Sequence, residues 1–200
     1  TSDDITGANG LSGISYLDNL IPGYTTHDAT ILEFDFVSSG DAAYFNYVFG
    51  SEEYNEWVGS AYNDVFGFFL DGTAVTDNVA LIPETNTAVS INNVNNGLYS
   101  QYYNDNDSSD TSTPYAFEYD GFTNAFTTSM TGLTADHTYH LTLAIADAGD
   151  LVLDSGVFLQ MGSFSDTPIA PVPEPATILL VGTGLIGIIG FGRKRLNKKA

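Results

Sequence analysis

Apolar and polar residues alternate with a period of two through much of residues 28–164, which is the pattern of β-strands that bury one face. Residues 31–36 place three large apolar side chains on one face and two carboxylates on the other. Residues 43–49 repeat the alternation with three aromatic side chains on one face. The Ser-Ser-Gly-Asp sequence at 38–41 is typical of a turn, so these two segments are predicted to form a hairpin.

Further strands follow at short intervals, separated by turn sequences such as Asp71-Gly72. Outside the C-terminal tail, no segment shows the period of a helix. Many short strands at this spacing predict an all-β fold, an antiparallel β-sandwich of the jelly-roll-like type. The additional strands are expected at 65–70, 78–82, 88–94, 139–145 and 157–159.

The distribution of charge restricts how a buried carboxylate can be stabilised. The chain has 25 Asp and Glu residues against five Lys and Arg residues, and all five cations lie in the last eight positions. The first 192 residues therefore contain no Lys or Arg that could form a salt bridge. A carboxylate buried there must be protonated, accept hydrogen bonds, or be neutralised by a cation from solution. Nucleic acid is not expected as a partner, because such a domain repels phosphates.

The absence of cysteine removes several further classes of site. Disulfides, thiolate zinc centres, iron–sulfur clusters and thiol catalysis all require cysteine. If the domain is exported, its core or a bound metal must hold it together.

Residues 169–200 differ in composition from the rest of the chain. An uncharged run from Thr177 to Phe191 follows a Pro-rich linker and precedes a basic cluster. As a helix this run would span roughly 22 Å, less than the roughly 30 Å of a bilayer core, so a short C-terminal transmembrane helix that anchors transiently is expected. Basic residues stay on the cytoplasmic side, which places the domain outside. The predicted organisation is an extracellular β-sandwich at 1–168, a Pro-rich linker at 169–176, a transmembrane sorting helix at 177–192 and a basic cytoplasmic tail at 193–200.

This tail resembles a known sorting signal, the PEP-CTERM tail, which has the same three parts in the same order. The resemblance implies recognition by an exosortase, a membrane protease-transferase that removes the tail near its Pro-Glu-Pro sequence. It also implies export to the surface or biofilm matrix of a Gram-negative-type bacterium that makes exopolysaccharide. An exported chain needs a signal segment, so the start at Thr1 is interpreted as processed or truncated. The sorting residues are Pro173, Glu174, Pro175, Arg193, Lys194 and Arg195.

Three acidic segments lie next to predicted strands, at 51–56, 62–65 and 146–155, so a rigid scaffold would hold their side chains. Carboxylate and amide oxygens held in this way, with no protein cation at hand, are the ligands that Ca²⁺ prefers. Taken singly, each segment is more typical of Asp and Asn residues that cap strands and turns, and it is the three segments together that favour calcium. The candidate calcium ligands are Glu52, Glu53, Asn63, Asp64, Asp147, Asp150 and Asp154.

The same segments resemble the choice-of-anchor L family of surface domains. The matching motifs occur in the family's order at 47–54, 63–69, 119–123 and 139–155. The resemblance covers about residues 15–164 and implies location and architecture more than activity. Family members usually have further strands upstream of Asp28. The short upstream stretch here is expected to reflect either a trimmed chain or a strand supplied by a neighbouring subunit, which would build a fibre.

Two other classes of function stay open. Trp57, Tyr54 and Tyr62 could form a stacking surface for a glycan, as in a carbohydrate-binding module for exopolysaccharide. A secreted acidic hydrolase could pair Glu52 or Glu53 with another carboxylate, Asp64 or Asp147. The hydrolase is disfavoured because the domain has one Trp and no Lys or Arg with which to bind a substrate.

The leading hypothesis is a calcium-stabilised surface adhesin or matrix component that is not an enzyme. Its expected partners are the exosortase, the membrane before processing, exopolysaccharide and further copies of the same chain.

Overall fold

The computed structural model of the protein describes residues 6–107, 115–116 and 118–169. Within these residues it contains one short α-helix, α1 (Ser15–Asp18), and two 3-10 turns at Val75–Asp77 and Ser100–Tyr102. Its strands are β1 (Thr26–Val37), β2 (Ala42–Ser51), β3 (Val65–Leu70), β4 (Val89–Ser90), β5 (Tyr103–Asp105), β6 (Gly121–Thr123), β7 (Phe126–Thr131), β8 (Thr138–Ala148) and β9 (Ser155–Leu159).

The strands form two antiparallel sheets. Sheet A has the order β1-β8-β3-β4, and sheet B has the order β5-β6-β2-β7, with β9 also paired to β2. The main core lies between them and is rich in aromatic residues. The ring centroids of Phe45 on β2 and Phe68 on β3 are 4.2 Å apart. Those of Tyr47 on β2 and Phe66 on β3 are 5.3 Å apart. Burial of each such side chain contributes roughly 1.5–3 kcal/mol to stability.

Sheet A is covered on its second face as well. Leu17 of α1 is fully buried in a second apolar cluster that includes Val65, Phe69 and Ala144. Because side chains alternate along a strand, β3 sends Phe68 to the main core and Phe69 to this outer cluster. A strand buried on both faces reads as a continuous apolar run, which is what residues 65–70 show.

The predicted fold class, an all-β antiparallel sandwich, is confirmed. The predicted hairpin is wrong: β1 pairs with β8, whereas β2 pairs with β6, β7 and β9. Alternation indicates which face of a strand is buried but does not name its partner, and the turn at 38–41 carries the chain from sheet A to sheet B. The strands expected at 78–82 and 88–94 reduce to two isolated bridges and the two-residue β4.

The predicted linker, sorting helix and basic tail over 169–200 fall, apart from Ile169, outside the described residues. Within the part of the chain that is described, no helix is long and apolar enough to cross a membrane.

Truncating a side chain at the centre of the core tests this packing. Phe66 is 2% exposed and contacts the rings of Tyr47 and Phe68. We expect Phe66→Ala to lower the free energy of unfolding by roughly 3–5 kcal/mol, because it leaves a cavity that neighbours cannot fill. The exposed Val75 supplies the control, since Val75→Ala should change stability by less than about 0.5 kcal/mol. Equal effects of the two changes in denaturant unfolding would contradict the assigned core.

Candidate functional site

The three acidic segments meet at one end of the sandwich because strands of both sheets begin or end there. Val65 pairs with Ala146, which places the preceding Asp64 beside Asp147. Ser51 pairs with Ser155 at the same level, and the Glu52 N–H donates to the Asp154 carbonyl oxygen at 3.2 Å. We call this region the acidic end; its members are Glu52, Glu53, Asn63, Asp64, Asp147, Asp150 and Asp154, all seven of the predicted ligands.

Asp64 is fully buried and joins the two sheets. One carboxylate oxygen accepts the Ala148 N–H from β8 at 2.9 Å, and the other accepts the Ser155 hydroxyl from β9 at 2.7 Å. Burial raises the pKa of Asp64 well above its ordinary value, and the nearby Asp147 and Asp150 raise it further, while the two hydrogen bonds lower it. This side chain is therefore held rigidly at the centre of the acidic end.

Glu53 is a deeply buried carboxylate of the acidic end. Its side chain is 1% exposed, and its Oε2 atom has no hydrogen-bond partner. Burial raises the pKa of Glu53 to about 9, and the carboxylates of Asp64, Asp150 and Asp147 contribute by repulsion. A buried oxygen in such surroundings is stable only if it is protonated or if a cation approaches it.

A polar cavity of about 110 Å³ opens beside these buried acids. Three carboxylates, those of Asp28, Asp147 and Asp154, line it together with the hydroxyl-bearing residues Tyr119 and Ser155. Burial raises the pKa of Asp147 to about 7, with repulsion from Asp154, Asp28 and Asp150. Asp147 is thus coupled electrostatically both to the buried Glu53 and to the acids of the cavity.

Asp28 was not recognised from the sequence. It lies at a left-handed position of β1 (φ 47°), where the pairing with β8 shifts register between His27 and Thr30. Its two oxygens accept the backbone N–H groups of Asn9 and Leu11 at 2.8 and 2.6 Å. Only the pairing of β1 with β8 instead of β2 brings this residue to the same cavity as Asp147.

The remaining predicted ligands have structural partners. The Asn63 side-chain oxygen accepts the Asn92 N–H at 2.8 Å, and Asp150 accepts the Val152 N–H at 3.0 Å in the turn after β8. Asp154 accepts the Gly7 N–H at 2.9 Å. Only the bond of Asp150 is of the turn-capping kind that was weighed as the alternative to metal binding; the other two join segments far apart in the chain. Each carboxylate keeps an oxygen beyond the one in its bond.

Protein cations do not reach the acidic end in the described residues. The described residues form two ion pairs, and both involve His140. Its ring nitrogens lie 2.7 Å from Asp35 and 3.8 Å from Glu33. His140 lies seven residues from Asp147 on the same strand, which is roughly 23 Å. His27 is opposite Asp147 in the pairing of β1 with β8 but forms no ion pair in this part of the chain.

The acidic end fits a cation in its chemistry but is not arranged as a finished site. In residues 6–107, 115–116 and 118–169, no three His, Cys, Asp or Glu side chains converge closely enough to hold a metal ion. An ion there would draw Glu53 and Asp147 together and use carbonyl or amide oxygens as well, which is ordinary for Ca²⁺ with its six to eight oxygen ligands.

The predicted stacking surface is reduced to two residues. Tyr54 is fully buried and its hydroxyl donates to the Val94 carbonyl oxygen at 2.6 Å, so its assignment to that surface is wrong. Trp57 is 41% exposed and meets Tyr62 edge to face, with 5.1 Å between ring centroids. Aromatic content alone could not show which of these rings faces solvent.

Comparison with known proteins agrees with both resemblances. The family model described as Choice-of-anchor L domain matches residues 1–165, and the PEP-CTERM protein-sorting motif matches residues 171–195. The sorting residues Pro173 to Pro175 and Arg193 to Arg195 lie in that second match, outside the described residues. No curated protein matches the chain, and no solved structure matches it.

The two matches together identify an exported cell-surface protein whose tail is recognised by exosortase processing machinery and anchors it transiently in the membrane. The family match covers residues 1–165, most of the chain, and shows that the protein belongs to the Choice-of-anchor L domain family.

Proposed function

We propose that this protein is a structural or adhesive component of the bacterial surface or biofilm matrix, and that Ca²⁺ bound at the acidic end stabilises its domain. The surface location follows from the family and the sorting motif. The calcium part is supported by one observation above all: the Oε2 atom of Glu53 is buried without a partner among three other carboxylates.

Protonation is the competing explanation for Glu53. A neutral carboxylic acid would remove the repulsion, but its proton needs an acceptor and burial of an unpaired polar atom is costly. A Ca²⁺ ion removes the repulsion of several carboxylates at once and uses the oxygens that hydrogen bonds leave over. The favoured ligands are therefore Glu53 and Asp147, with Asp64, Asp154 and neighbouring oxygens completing the shell.

A calcium-held domain is suited to a structural role outside the cell. The chain has no cysteine, so no disulfide can join the strands. An ion bound between the ends of β2, β3 and β8 would link both sheets at one point. Any ligand that binds only the folded state raises its stability by mass action.

The hydrolase alternative gains little from the geometry. Glu53 and Asp64 are 1% and 0% exposed, so a sugar chain cannot approach either carboxylate in this conformation. A glycosidase needs both carboxyl groups on the two sides of an accessible glycosidic bond.

Calcium is expected to raise the melting temperature, and Glu53→Gln is expected to abolish the shift. At a Ca²⁺ concentration 100-fold above Kd the gain is about 2.7 kcal/mol, or roughly 5–10 °C for a domain of this size. Scanning calorimetry with Ca²⁺ and with chelator measures it. The matched control is Glu84→Gln, which makes the same change of charge at an exposed site and should keep the full shift. A shift that survives Glu53→Gln would disprove the assignment of this ligand.

Without calcium, stability is expected to fall as pH rises. The pKa of Glu53 is about 9 in the folded state against 4.5 for the free side chain, so between these values folding takes up a proton. The contribution of the protonated Glu53 to the free energy of unfolding is complete below about pH 4.5 and is lost as the pH approaches 9. Protonation of Asp147 contributes in the same direction between pH 3.8 and about 7. In the presence of chelator, the urea midpoint of unfolding should decline as the pH is raised from 5 to 9. The decline should be less steep in the Glu53→Gln variant than in the parent protein. A flat profile would contradict the burial of an unpaired acid.

The second candidate, a carbohydrate-binding module, is favoured by the exposed Trp57 beside Tyr62. Aromatic faces in solution are the usual contact for sugar rings. If this pair binds the exopolysaccharide, Trp57→Ala should weaken retention on the immobilised polymer at least about ten-fold, equivalent to 1.4 kcal/mol, without moving the melting temperature. The control is Leu98→Ala, which removes an exposed apolar side chain elsewhere. Equal retention of both variants and the parent would remove this candidate.

A further inference from the structure

Three cavities lie in a row along one face of β1, and we call this row the side groove. Their volumes are about 200, 290 and 150 Å³. The first two share Phe164 in their walls, and the last two share Leu143 and Leu159. Alternate residues of β1 line the three cavities in turn, namely Phe36, Phe34, and then Leu32 with Thr30. From Thr30 to Phe36 a strand rises roughly 20 Å, so the side groove has the length and the two-residue period of a β-strand.

The side groove is largely apolar and open to solvent. Leu32 of β1 is 53% exposed, and Leu159 of β9 and Phe164 after it are 45% and 44% exposed. Among the described residues that line the groove, Asp166 at its far end is the single carboxylate. An exposed apolar surface of this kind, on a domain that is acidic elsewhere, is typical of an interaction site.

The two strands that border the side groove lie at sheet edges in the part of the chain that the structure describes. From Thr30 to Val37, β1 pairs with β8 alone, and β9 pairs with β2 alone. An edge strand presents N–H and C=O groups with which a further strand can pair. An acyl chain would cover the apolar side chains and leave those backbone groups to water. A polypeptide strand satisfies both, so the groove fits a polypeptide better than a lipid.

At one end the side groove leads into the polar cavity of the acidic end. Thr30 and Ile145 line both the 150 Å³ cavity and the polar cavity. The carboxylates of Asp28, Asp147 and Asp154 line the polar cavity. A strand that follows β1 therefore meets apolar walls first and a concentration of carboxylates at its end.

These carboxylates indicate which polypeptide fits the groove. A Lys or Arg side chain complements them, and residues 1–192 of this chain contain neither. The opposite face of β1 carries Glu33 and Asp35. If the β1 edges of two copies paired, those carboxylates would face the same carboxylates of the partner, which destabilises a strand pair. The charges therefore favour a segment of a different protein over a second copy of this domain.

We propose that the side groove is a docking site for an extended segment of another protein, which pairs with β1 as an added strand. Three alternate side chains of the segment are apolar and occupy the three cavities. The next side chain in the same alternation is a Lys or Arg that enters the polar cavity. Residues two apart in a strand are separated by roughly 6.7 Å, which is also the interval between Phe34 and Leu32 on β1. The site does not require Ca²⁺ and would give the surface domain a specific protein partner.

A phage-displayed library of random decapeptides tests this pattern without a known partner. The target is the full-length chain in phosphatidylcholine nanodiscs, and peptides that bind empty nanodiscs are removed first. Selection is carried out in chelator, so its result does not depend on whether the acidic end binds Ca²⁺. We expect the enriched peptides to carry apolar residues at three alternate positions and a Lys or Arg at the next one.

Two variants at neighbouring positions show where an enriched peptide binds. Leu32→Glu places a charge in the groove and should weaken the affinity, measured by calorimetric titration, at least about ten-fold. Ile31→Glu is the matched control, because Ile31 is 44% exposed on the opposite face of the same strand. It should change the affinity by less than about three-fold. Replacing the basic residue of the peptide by Gln should weaken binding at least about five-fold at low salt, and less at high salt.

Four results would overturn the proposal. Enrichment no greater on the parent chain than on the Leu32→Glu chain would show that no peptide uses the groove. Enriched sequences that lack the alternation or the basic residue would show that the groove does not select a strand of this kind. Chemically crosslinked dimers that Leu32→Glu removes and Ile31→Glu keeps would assign the groove to a second copy. A lipid that copurifies with the parent chain and is lost in Leu32→Glu would assign it to an acyl chain.

Discussion

Repulsion among buried carboxylates that have no basic partner is the interaction on which the rest of this structure depends. Glu53 and Asp64 are taken out of water at the junction of the two sheets, and Asp147 lies beside them. In most domains an Arg or Lys would offset this cost, but none exists before residue 193. The fold therefore concentrates carboxylates at the place where its strands converge, and protons, hydrogen bonds or a cation from solution must offset the cost of burying them there.

Asp64 shows how closely this charge is tied to the architecture. Its two oxygens accept hydrogen bonds from a backbone N–H of sheet A and a hydroxyl of sheet B, so the same residue that we propose as a calcium ligand also joins the layers. A bound ion at this point would act as a clip on a domain without disulfides. Stability and surface function would then depend on the ion content of the medium, which is far richer in Ca²⁺ outside a cell than within it.

Much of the architecture could be read from the chain, and the errors have physical causes. Alternation located β2, β3 and β8 because each has one face or two buried against an apolar core. It also located β1, although most of that strand after Ala29 is exposed. It could not pair them, since the partner of β1 is β8, more than a hundred residues away, and not the neighbouring β2. The short segments at 78–82 and 88–94 are apolar because they pack on the core, and very little of them is paired in a sheet.

The residues that form the acidic end could be predicted from the sequence because strand ends gather at the two ends of a sandwich. Asp28 was missed because its position depends on the pairing of β1 with β8 and on an irregularity in that pairing. Tyr54 was misplaced because a tyrosine beside two acidic residues looks like part of a surface, whereas its ring belongs to the core. Composition shows that no Lys or Arg can neutralise a buried carboxylate, but only the fold shows that Oε2 of Glu53 is buried without a hydrogen bond.

The most direct measurement of the central claim is a crystal structure of the protein grown with Ca²⁺. Our account predicts a strong peak at the acidic end, with at least six oxygen ligands at about 2.3–2.6 Å, one of them Oε2 of Glu53. A structure at saturating Ca²⁺ in which no ion is bound, and in which Glu53 donates a proton to a neighbouring oxygen, would contradict it.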